Sequence, residues 1–301
     1  MTTGAGLRAI LTRLEPVLGP SEGDPVALNG GITNRNYRAR LGGEDYVIRL
    51  PGWDTDLLGI SREAERIAGA AAGELGIAPA VAAAYEDCLV TRFIACRPPT
   101  TAELAAEPEP AARALRAFHD GAPTLPARFW VPELVETYAA IVRERGRALP
   151  IEYEHARAVA RQIAAARPLF DAAPCHNDLL TANLIVSEPD QRLMLVDWEY
   201  AGMGDRFFDL GNLSVNNEFD ADADQRLLRA YLGREPDALA TAALSLMRAM
   251  SDVREAVWGV IQGAISELEF DFAGYAERHF SRLRETTSSS RFGESLRACA
   301  A

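Results

Sequence analysis

The feature that most constrains this chain is a set of polar side chains gathered around a short apolar hairpin past its midpoint. Asp178 is followed after four residues by Asn183, and Asp197 comes after two apolar runs at 182–186 and 193–196. The segment between the runs, Ser-Glu-Pro-Asp-Gln, is typical of a turn, so the runs predict a β-hairpin. This hairpin would bring Asn183 and Asp197 to the same end of its strands. A lone Asp-x4-Asn is usually ordinary loop sequence, but the complete set favours a functional site.

These residue types are the ones that phosphoryl transfer from a nucleotide requires. One carboxylate must orient the attacking hydroxyl and accept its proton, while an amide oxygen and a second carboxylate hold magnesium. We therefore predict Asp178 as the catalytic base, in a loop before the first strand of the hairpin. Asn183 and Asp197 are the predicted ligands of Mg2+, which prefers hard oxygen donors. The predicted cofactors are ATP and Mg2+, and His176 is expected to pack beneath the catalytic loop.

At these residues the chain resembles the choline/ethanolamine kinase branch of the aminoglycoside phosphotransferase family. The shared motif is His-Asn-Asp-x4-Asn at 176–183, and the strings at 197–202 and 208–212 are more particular to that branch. The resemblance runs from about Asn29 to about Phe280. It implies an α+β, bilobal, protein-kinase-like fold. Residues 1–94 would form a small nucleotide-binding N-lobe with an antiparallel sheet plus a helix, and residues 95–301 a larger, mostly helical C-lobe with the catalytic loop and acceptor site.

Composition excludes several classes of function. Among its 301 residues 48% are hydrophobic and 25% are charged, as in a soluble globular protein. The net charge of −12 argues against a nucleic-acid partner and is compatible with a cationic substrate. No apolar run approaches the ~20 residues of a membrane span, and the N-terminus shows neither the basic start nor the apolar core expected of a signal peptide. Four cysteines without metal-like spacing fit reduced thiols, so a cytoplasmic protein is expected. A homodimer is compatible with the sequence.

The segment 29–39 is a candidate phosphate loop. Two glycines and small polar residues between predicted strands let backbone N–H groups approach phosphate closely, although a plain hairpin turn is the alternative. The string Gly-Gly-Ile-Thr-Asn resembles the phosphate loop of choline kinases. The resemblance therefore implies nucleotide contacts from Gly30, Gly31, Thr33 and Asn34.

The sequence contains no lysine, so an arginine must hold the α- and β-phosphates. The candidate is Arg49, near the end of a predicted strand at 46–50, because its guanidinium can grip phosphate oxygens in two places. A helix at 62–75, capped by Ser61 and ended by Gly76, follows. Glu65 on this helix lies at the family's distance from the Gly-Ile-Ala-Pro turn at 76–79, which makes it the predicted partner of Arg49. Glu63 is expected on a solvated face.

The strand-like segment 88–94 resembles the hinge between lobes in this family, where the backbone pairs with adenine. Arg92, Phe93 and Ile94 are accordingly predicted to contact the nucleotide. After the hinge the chain turns helical: Leu104 to His119 fits one helix, and further helices are predicted at 133–147, 155–169 and 253–267. Residues 286–301 are expected to fray.

Aromatic residues in the C-terminal third predict the acceptor site. Strings around Trp258 and Tyr275 match choline kinases, where aromatic rings surround a quaternary ammonium. By this resemblance Trp258 and Tyr275 form the box with Tyr200 nearby, although helix-packing core is the alternative. Glu255 stands where the family often has another Trp, and Asn216 replaces a frequent acidic residue. A carboxylate in place of a ring would favour a primary or otherwise different amine. Asp209, in contrast, is expected to brace the catalytic loop.

The predicted function is an ATP- and Mg2+-dependent kinase that phosphorylates the hydroxyl of a small cationic amino alcohol, with choline or ethanolamine favoured. Two alternatives stay open. One is a phosphotransferase for another hydroxylated amine, such as an aminoglycoside or thiamine. The other is a non-catalytic nucleotide-binding protein, which the intact set of Asp178, Asn183 and Asp197 argues against.

Overall fold

The computed structural model describes residues 4–28, 34–52, 55–168 and 170–300. Its N-terminal part contains a five-stranded antiparallel sheet with two helices beside it. The elements are α1 (Gly4–Leu18), β1 (Ser21–Leu28), β2 (Arg35–Leu41), β3 (Glu44–Leu50), α2 (Arg62–Glu74), β4 (Val81–Ala84) and β5 (Leu89–Arg92). The strand order is β1-β2-β3-β5-β4, so β3 lies in the middle of the sheet.

The remainder is mostly helical. Its strands are β6 (Cys96–Arg97), β7 (Ala172–Cys175), β8 (Leu184–Ser187), β9 (Leu193–Leu195) and β10 (Gly202–Asp205). Its helices are α3 (Thr101–Ala106), α4 (Glu109–Gly121), α5 (Val131–Glu144), α6 (Glu152–Ala166), α7 (Arg206–Asn216), α8 (Ala221–Leu232), α9 (Ala238–Ile265), α10 (Phe272–Ser288) and α11 (Ser290–Ala300). The predicted α+β class is confirmed. Among the described residues no helix is long and apolar enough to cross a membrane.

Helix α2 carries a charged residue on its buried face. Ser61 caps its N-terminus by accepting a hydrogen bond from the Ala64 amide, and the left-handed Gly76 (φ +70) follows its end, as predicted. Most of its alanines, together with Glu65 at 4% exposure, are buried against neighbouring elements. The helix therefore presents the Glu65 carboxylate to the interior rather than to solvent.

The predicted catalytic hairpin is present. Strands β8 and β9 pair antiparallel with Leu184 opposite Leu195, and the Val196 amide donates to the carbonyl of Asn183 at 2.9 Å. Asn183 and Asp197 consequently lie at the same end of the two strands. The short β6 extends this sheet on the other side of β8.

The long helix α9 organises the C-terminal part. It spans 28 residues from an Asp237 cap and begins 15 residues before the predicted helix at 253–267. At Gly211 of α7, an added Cβ would lie 2.5 Å from the Met247 carbonyl carbon, so glycine is what lets α7 cross α9 so closely. Most of the side chains of α9 are buried, which makes it the central element onto which α5, α6, α7 and α10 pack.

Two sequence predictions about helices were wrong. The helix expected through Leu104 to His119 is broken into α3 and α4, because Pro108 lacks an N–H and disfavours helical backbone at the residue before it. The C-terminal segment does not fray: α10 continues to Ser288 and α11 follows, with Phe292 buried in the core shared with α6 and α9.

Candidate active site

The loop between β7 and β8 is held in an unusual backbone conformation by a buried carboxylate. Asn177 has φ +66, a left-handed conformation that asparagine tolerates better than most residues. Asp209 of α7 accepts hydrogen bonds from the amides of His176 (2.8 Å) and Asn177 (2.7 Å). Its Oδ2 also contacts Nε2 of the buried His119 at 2.9 Å. The brace predicted for Asp209 is therefore present, and it fixes the residue that precedes Asp178.

The predicted base, Asp178, is buried with both carboxylate oxygens engaged. Oδ1 accepts from Nη1 of Arg254 at 2.9 Å, and Oδ2 accepts from Nδ2 of Asn183 at 2.8 Å. Burial raises the pKa of Asp178 to about 7; the charges of Glu255 and Asp197 add to this, and Arg254 opposes it. A carboxylate with a pKa near neutrality is well matched to accept a proton from an alcohol in a transition state.

The two predicted metal ligands offer the oxygen donors that Mg2+ prefers. Since Nδ2 of Asn183 is committed to Asp178, the amide oxygen is the atom left for a cation. Asp197 follows β9 with φ +66, and its carboxylate contacts Nη2 of Arg49. The donor set therefore fits a divalent hard cation at this end of the hairpin.

Arg49 sits in a cluster of carboxylates. Its Nη1 lies 3.3 Å from Oε1 of Glu65, the predicted ion pair, and its Nη2 contacts Asp197 and lies 3.4 Å from Oε2 of Glu199. Burial alone would lower the pKa of Arg49, but these carboxylates outweigh it and raise the pKa. Asn34 donates to the same Glu199 oxygen at 2.8 Å. Burial, reinforced by the charge of Asp197, raises the pKa of Glu199 to about 7.

The remaining predicted nucleotide contacts fall into two groups. Gly30, Gly31 and Thr33 lie outside the described residues. Arg92, Phe93 and Ile94 line the cavity that Arg49 and Asp178 also line, but two of their amides are already bonded: Arg92 to the carbonyl of Ala80 and Phe93 to that of Asp45.

The predicted acceptor residues come together around α9 and α10. The rings of Trp258 and Tyr275 are 5.5 Å apart at 67°, and Nε1 of Trp258 donates to the Tyr200 hydroxyl at 2.8 Å. The Tyr275 hydroxyl donates to Oε2 of Glu255 at 2.6 Å. All four residues line the same cavity as Asp178. Asn216 is not among its lining residues, and its amide oxygen accepts from Arg282 at 3.3 Å.

Arg254 is a site residue that sequence reasoning missed. It is 2% exposed, and its Nη1 lies 2.8 Å from Oε1 of Glu255 as well as against Asp178. Its guanidinium carbon lies 4.4 Å from the centre of the Tyr200 ring. The buried Glu255 therefore already has a cationic partner, whose charge outweighs burial and lowers the pKa of Glu255. The available signal was a charged Arg-Glu pair one turn before Trp258, within a largely apolar helix.

A single cavity of about 450 Å³ joins the two ends of the site. Its nucleotide end is lined by β-sheet residues including Val47, Arg49 and Leu89, and its other end by Arg254, Trp258 and the residues around them. Asp178 also lines this cavity. One ligand contacting the sheet and another contacting the aromatic rings could therefore meet at the same carboxylate.

Sequence comparison places these residues in a known family. The model of the phosphotransferase enzyme family matches residues 25–243. A probable choline kinase from Arabidopsis thaliana is 24% identical over 322 residues, covering 90% of this chain and 92% of the relative. A probable ethanolamine kinase from the same plant is 30% identical over 118 residues, which span 33% of this chain and only 31% of that relative's length.

Structural comparison gives the same result over the full length. The crystal structure of a choline/ethanolamine kinase family protein from Mesorhizobium loti superposes with a TM-score of 0.81 at 30% sequence identity. The match covers 100% of this chain and 99% of that protein.

Proposed function

Because the chain belongs to the choline/ethanolamine kinase branch of the phosphotransferase enzyme family, we propose that it uses Mg2+–ATP to phosphorylate the hydroxyl of a small amino alcohol. The comparisons confirm the family and the kinase-like fold predicted from the sequence, and they identify the chain as a small-molecule phosphotransferase. The observation that carries the finer proposal is the meeting of Asp178, Asn183 and Asp197 in one cavity with an aromatic wall.

On the nucleotide side, Asn183 and Asp197 would hold Mg2+, which when bound neutralises charge on the phosphates. Arg49 would move from its carboxylate cluster to contact the α- and β-phosphates, while Glu65 keeps its contact with Nη1 of the guanidinium. The adenine would lie near Ile94, at a boundary between an N-lobe of residues 1–94 and a C-lobe of residues 95–301.

On the acceptor side, Asp178 would accept the proton of the acceptor hydroxyl. At the same time the hydroxyl oxygen would form a bond to the γ-phosphorus of ATP, and the bond between that phosphorus and ADP would break. The pKa of about 7 keeps a substantial fraction of Asp178 ionised at neutral pH. The amine of the acceptor would lie further out, against the rings of Trp258 and Tyr275. Such ring faces stabilise a cation by about 0.5–2 kcal/mol per contact.

Acceptor-dependent release of ADP tests this proposal. We expect purified protein with Mg2+–ATP to release ADP when choline or ethanolamine is added, and to do so less with thiamine or kanamycin. Asp178→Asn should lower turnover by ~10²-fold or more, the scale of losing a general base, while ATP affinity stays nearly intact. A thermal shift with Mg2+–ATP controls for folding and nucleotide binding. Near-normal turnover in this variant, or no response to any acceptor, would contradict the proposal.

A further inference from the structure

The end of the cavity lined by Trp258, where the acceptor molecule would bind, contains a positively charged side chain, Arg254. Arg254 lies on α9, one helical turn before Trp258, and is 2% exposed. It forms ion pairs with Asp178 at 2.9 Å and with Glu255 at 2.8 Å. Its guanidinium also stands over the Tyr200 ring, well within the distance of about 6 Å at which a ring attracts a cation. Arg254 thus makes both contacts by which a cationic ligand could bind in this pocket, an ion pair with a carboxylate and a contact with a ring face.

Arg254 is fixed in this position. If the guanidinium swung out, it would leave Asp178 and Glu255 as two buried carboxylates without their common partner. Breaking a buried pair in this way is strongly unfavourable, because the remaining charge is uncompensated. Glu255 is further held by the hydroxyl of Tyr275 and by Asn212, whose Nδ2 lies 3.3 Å from Oε1. An acceptor molecule therefore enters a pocket in which the guanidinium stays in place.

The fixed guanidinium changes what the pocket can offer to different amines. With both carboxylates ionised, Asp178, Glu255 and Arg254 together carry a net charge of −1, whereas the two carboxylates alone would carry −2. The guanidinium also occupies the face of the Tyr200 ring. A trimethylammonium group can only use ring faces and net charge. A primary ammonium also donates hydrogen bonds, and Oε2 of Glu255, which within the described part of the chain accepts only from Tyr275, has a second lone pair to offer it. In addition, Nη2 of Arg254 has no hydrogen-bond partner among the described residues, so its N–H groups can donate to the hydroxyl oxygen of the molecule to be phosphorylated.

We propose, on the basis of the kinase function above, that Arg254 is a specificity-determining residue. It acts as an internal cation that makes the pocket select small hydroxylated primary amines over trimethylammonium alcohols. The same guanidinium positions Asp178, so its loss also slows turnover of every acceptor. Selectivity, not turnover alone, is the property that separates this role from a structural one.

Calorimetric titration in the presence of Mg2+ and a non-hydrolysable ATP analogue tests the proposal. The ligands are ethanolamine, choline and 3,3-dimethylbutan-1-ol, which has the shape of choline without its charge. We expect the wild type to bind ethanolamine at least about tenfold more tightly than choline. Arg254→Met should shift that ratio toward choline by about tenfold, because it frees the face of the Tyr200 ring for the trimethylammonium group. It should also raise the affinity of choline relative to its neutral analogue by about tenfold, since a unit positive charge a few ångströms away is lost.

Arg248→Met is the matched control. Arg248 is a second arginine of α9 and is partly buried. It pairs with Asp224 at 2.6 Å and is not among the residues that line the cavity. Its loss should lower stability without changing either affinity ratio. The proposal is overturned if wild type binds choline as tightly as ethanolamine, an outcome that needs no variant, or if folded Arg254→Met keeps the wild-type ratios. Failure of the kinase function would appear separately, as ligand binding without release of ADP from ATP.

Discussion

Replacing Asp209 by asparagine tests whether the catalytic loop depends on its buried brace. The wild-type carboxylate is completely buried and accepts from two backbone amides, those of His176 and Asn177, besides contacting His119. Asparagine has the same shape but only one acceptor oxygen. Its NH2 group would therefore face one of these backbone N–H donors, and that N–H would lose its hydrogen-bond acceptor.

The magnitude follows from these contacts. A buried donor left without its acceptor costs about 1–3 kcal/mol, and hydrogen bonds to a charged group are stronger than neutral ones. We expect Asp209→Asn to lower the free energy of unfolding by about 2–4 kcal/mol. Relaxation of the left-handed Asn177 would also displace Asp178. A misplacement of about 1 Å at a reacting group is enough to lower turnover by about 10²-fold.

Urea denaturation and steady-state kinetics would measure the two effects on the same samples. Asp224→Asn is the matched control, because Asp224 is a partly buried carboxylate that accepts from Ser214 and Arg248 away from the cavity. It should lose stability with little change in turnover. If Asp209→Asn kept wild-type stability and turnover, or if both variants lost turnover equally, the reasoning about the brace would be refuted.

Substitutions at three further residues address the ligands of the proposed kinase. Asp197→Ala should abolish the Mg2+-dependent part of nucleotide binding in calorimetry, and an unchanged Mg2+ requirement would count against the metal site. Arg49→Ala should raise the KM for ATP, with Arg49→Lys retaining part of the activity because a point charge remains; wild-type behaviour of Arg49→Ala would mean that other arginines hold the phosphates. Trp258→Ala should weaken acceptor binding roughly tenfold and leave the KM for ATP unchanged, with the melting temperature as control; equal changes in both KM values would indicate general disruption.

Much of the site was predictable because its signals are local in sequence. Asp178, Asn183 and Asp197 lie within one loop and hairpin, whose strands and turn are encoded by adjacent apolar and polar runs. The helix that carries Glu65 was predicted from its own cap and its terminal glycine. In each case a few neighbouring residues determine the local geometry, and the family motif supplied the pairing of Arg49 with Glu65.

The parts that sequence did not predict depend on contacts between distant segments. Helical spacing from Met250 and Trp258 places Arg254 on the buried face of α9. Its partner Asp178 lies 76 positions away, however, and nothing local in the sequence identifies that pairing. Glu255 was expected to face the acceptor as a free carboxylate, whereas Arg254, Asn212 and Tyr275 already bind it. Likewise, the burial of Phe292 by α6 and α9 could not be seen in the polar composition of the C-terminal segment.

The most direct test of the central claim is identification of the product by 31P nuclear magnetic resonance. Protein, ATP and ethanolamine are incubated with and without Mg2+, alongside Asp178→Asn. We predict that a phosphomonoester resonance grows together with those of ADP, only when Mg2+ is present, and at least ~10²-fold more slowly in the variant. Release of inorganic phosphate without an ester of any amino alcohol tested, or equal ester formation by Asp178→Asn, would contradict the account.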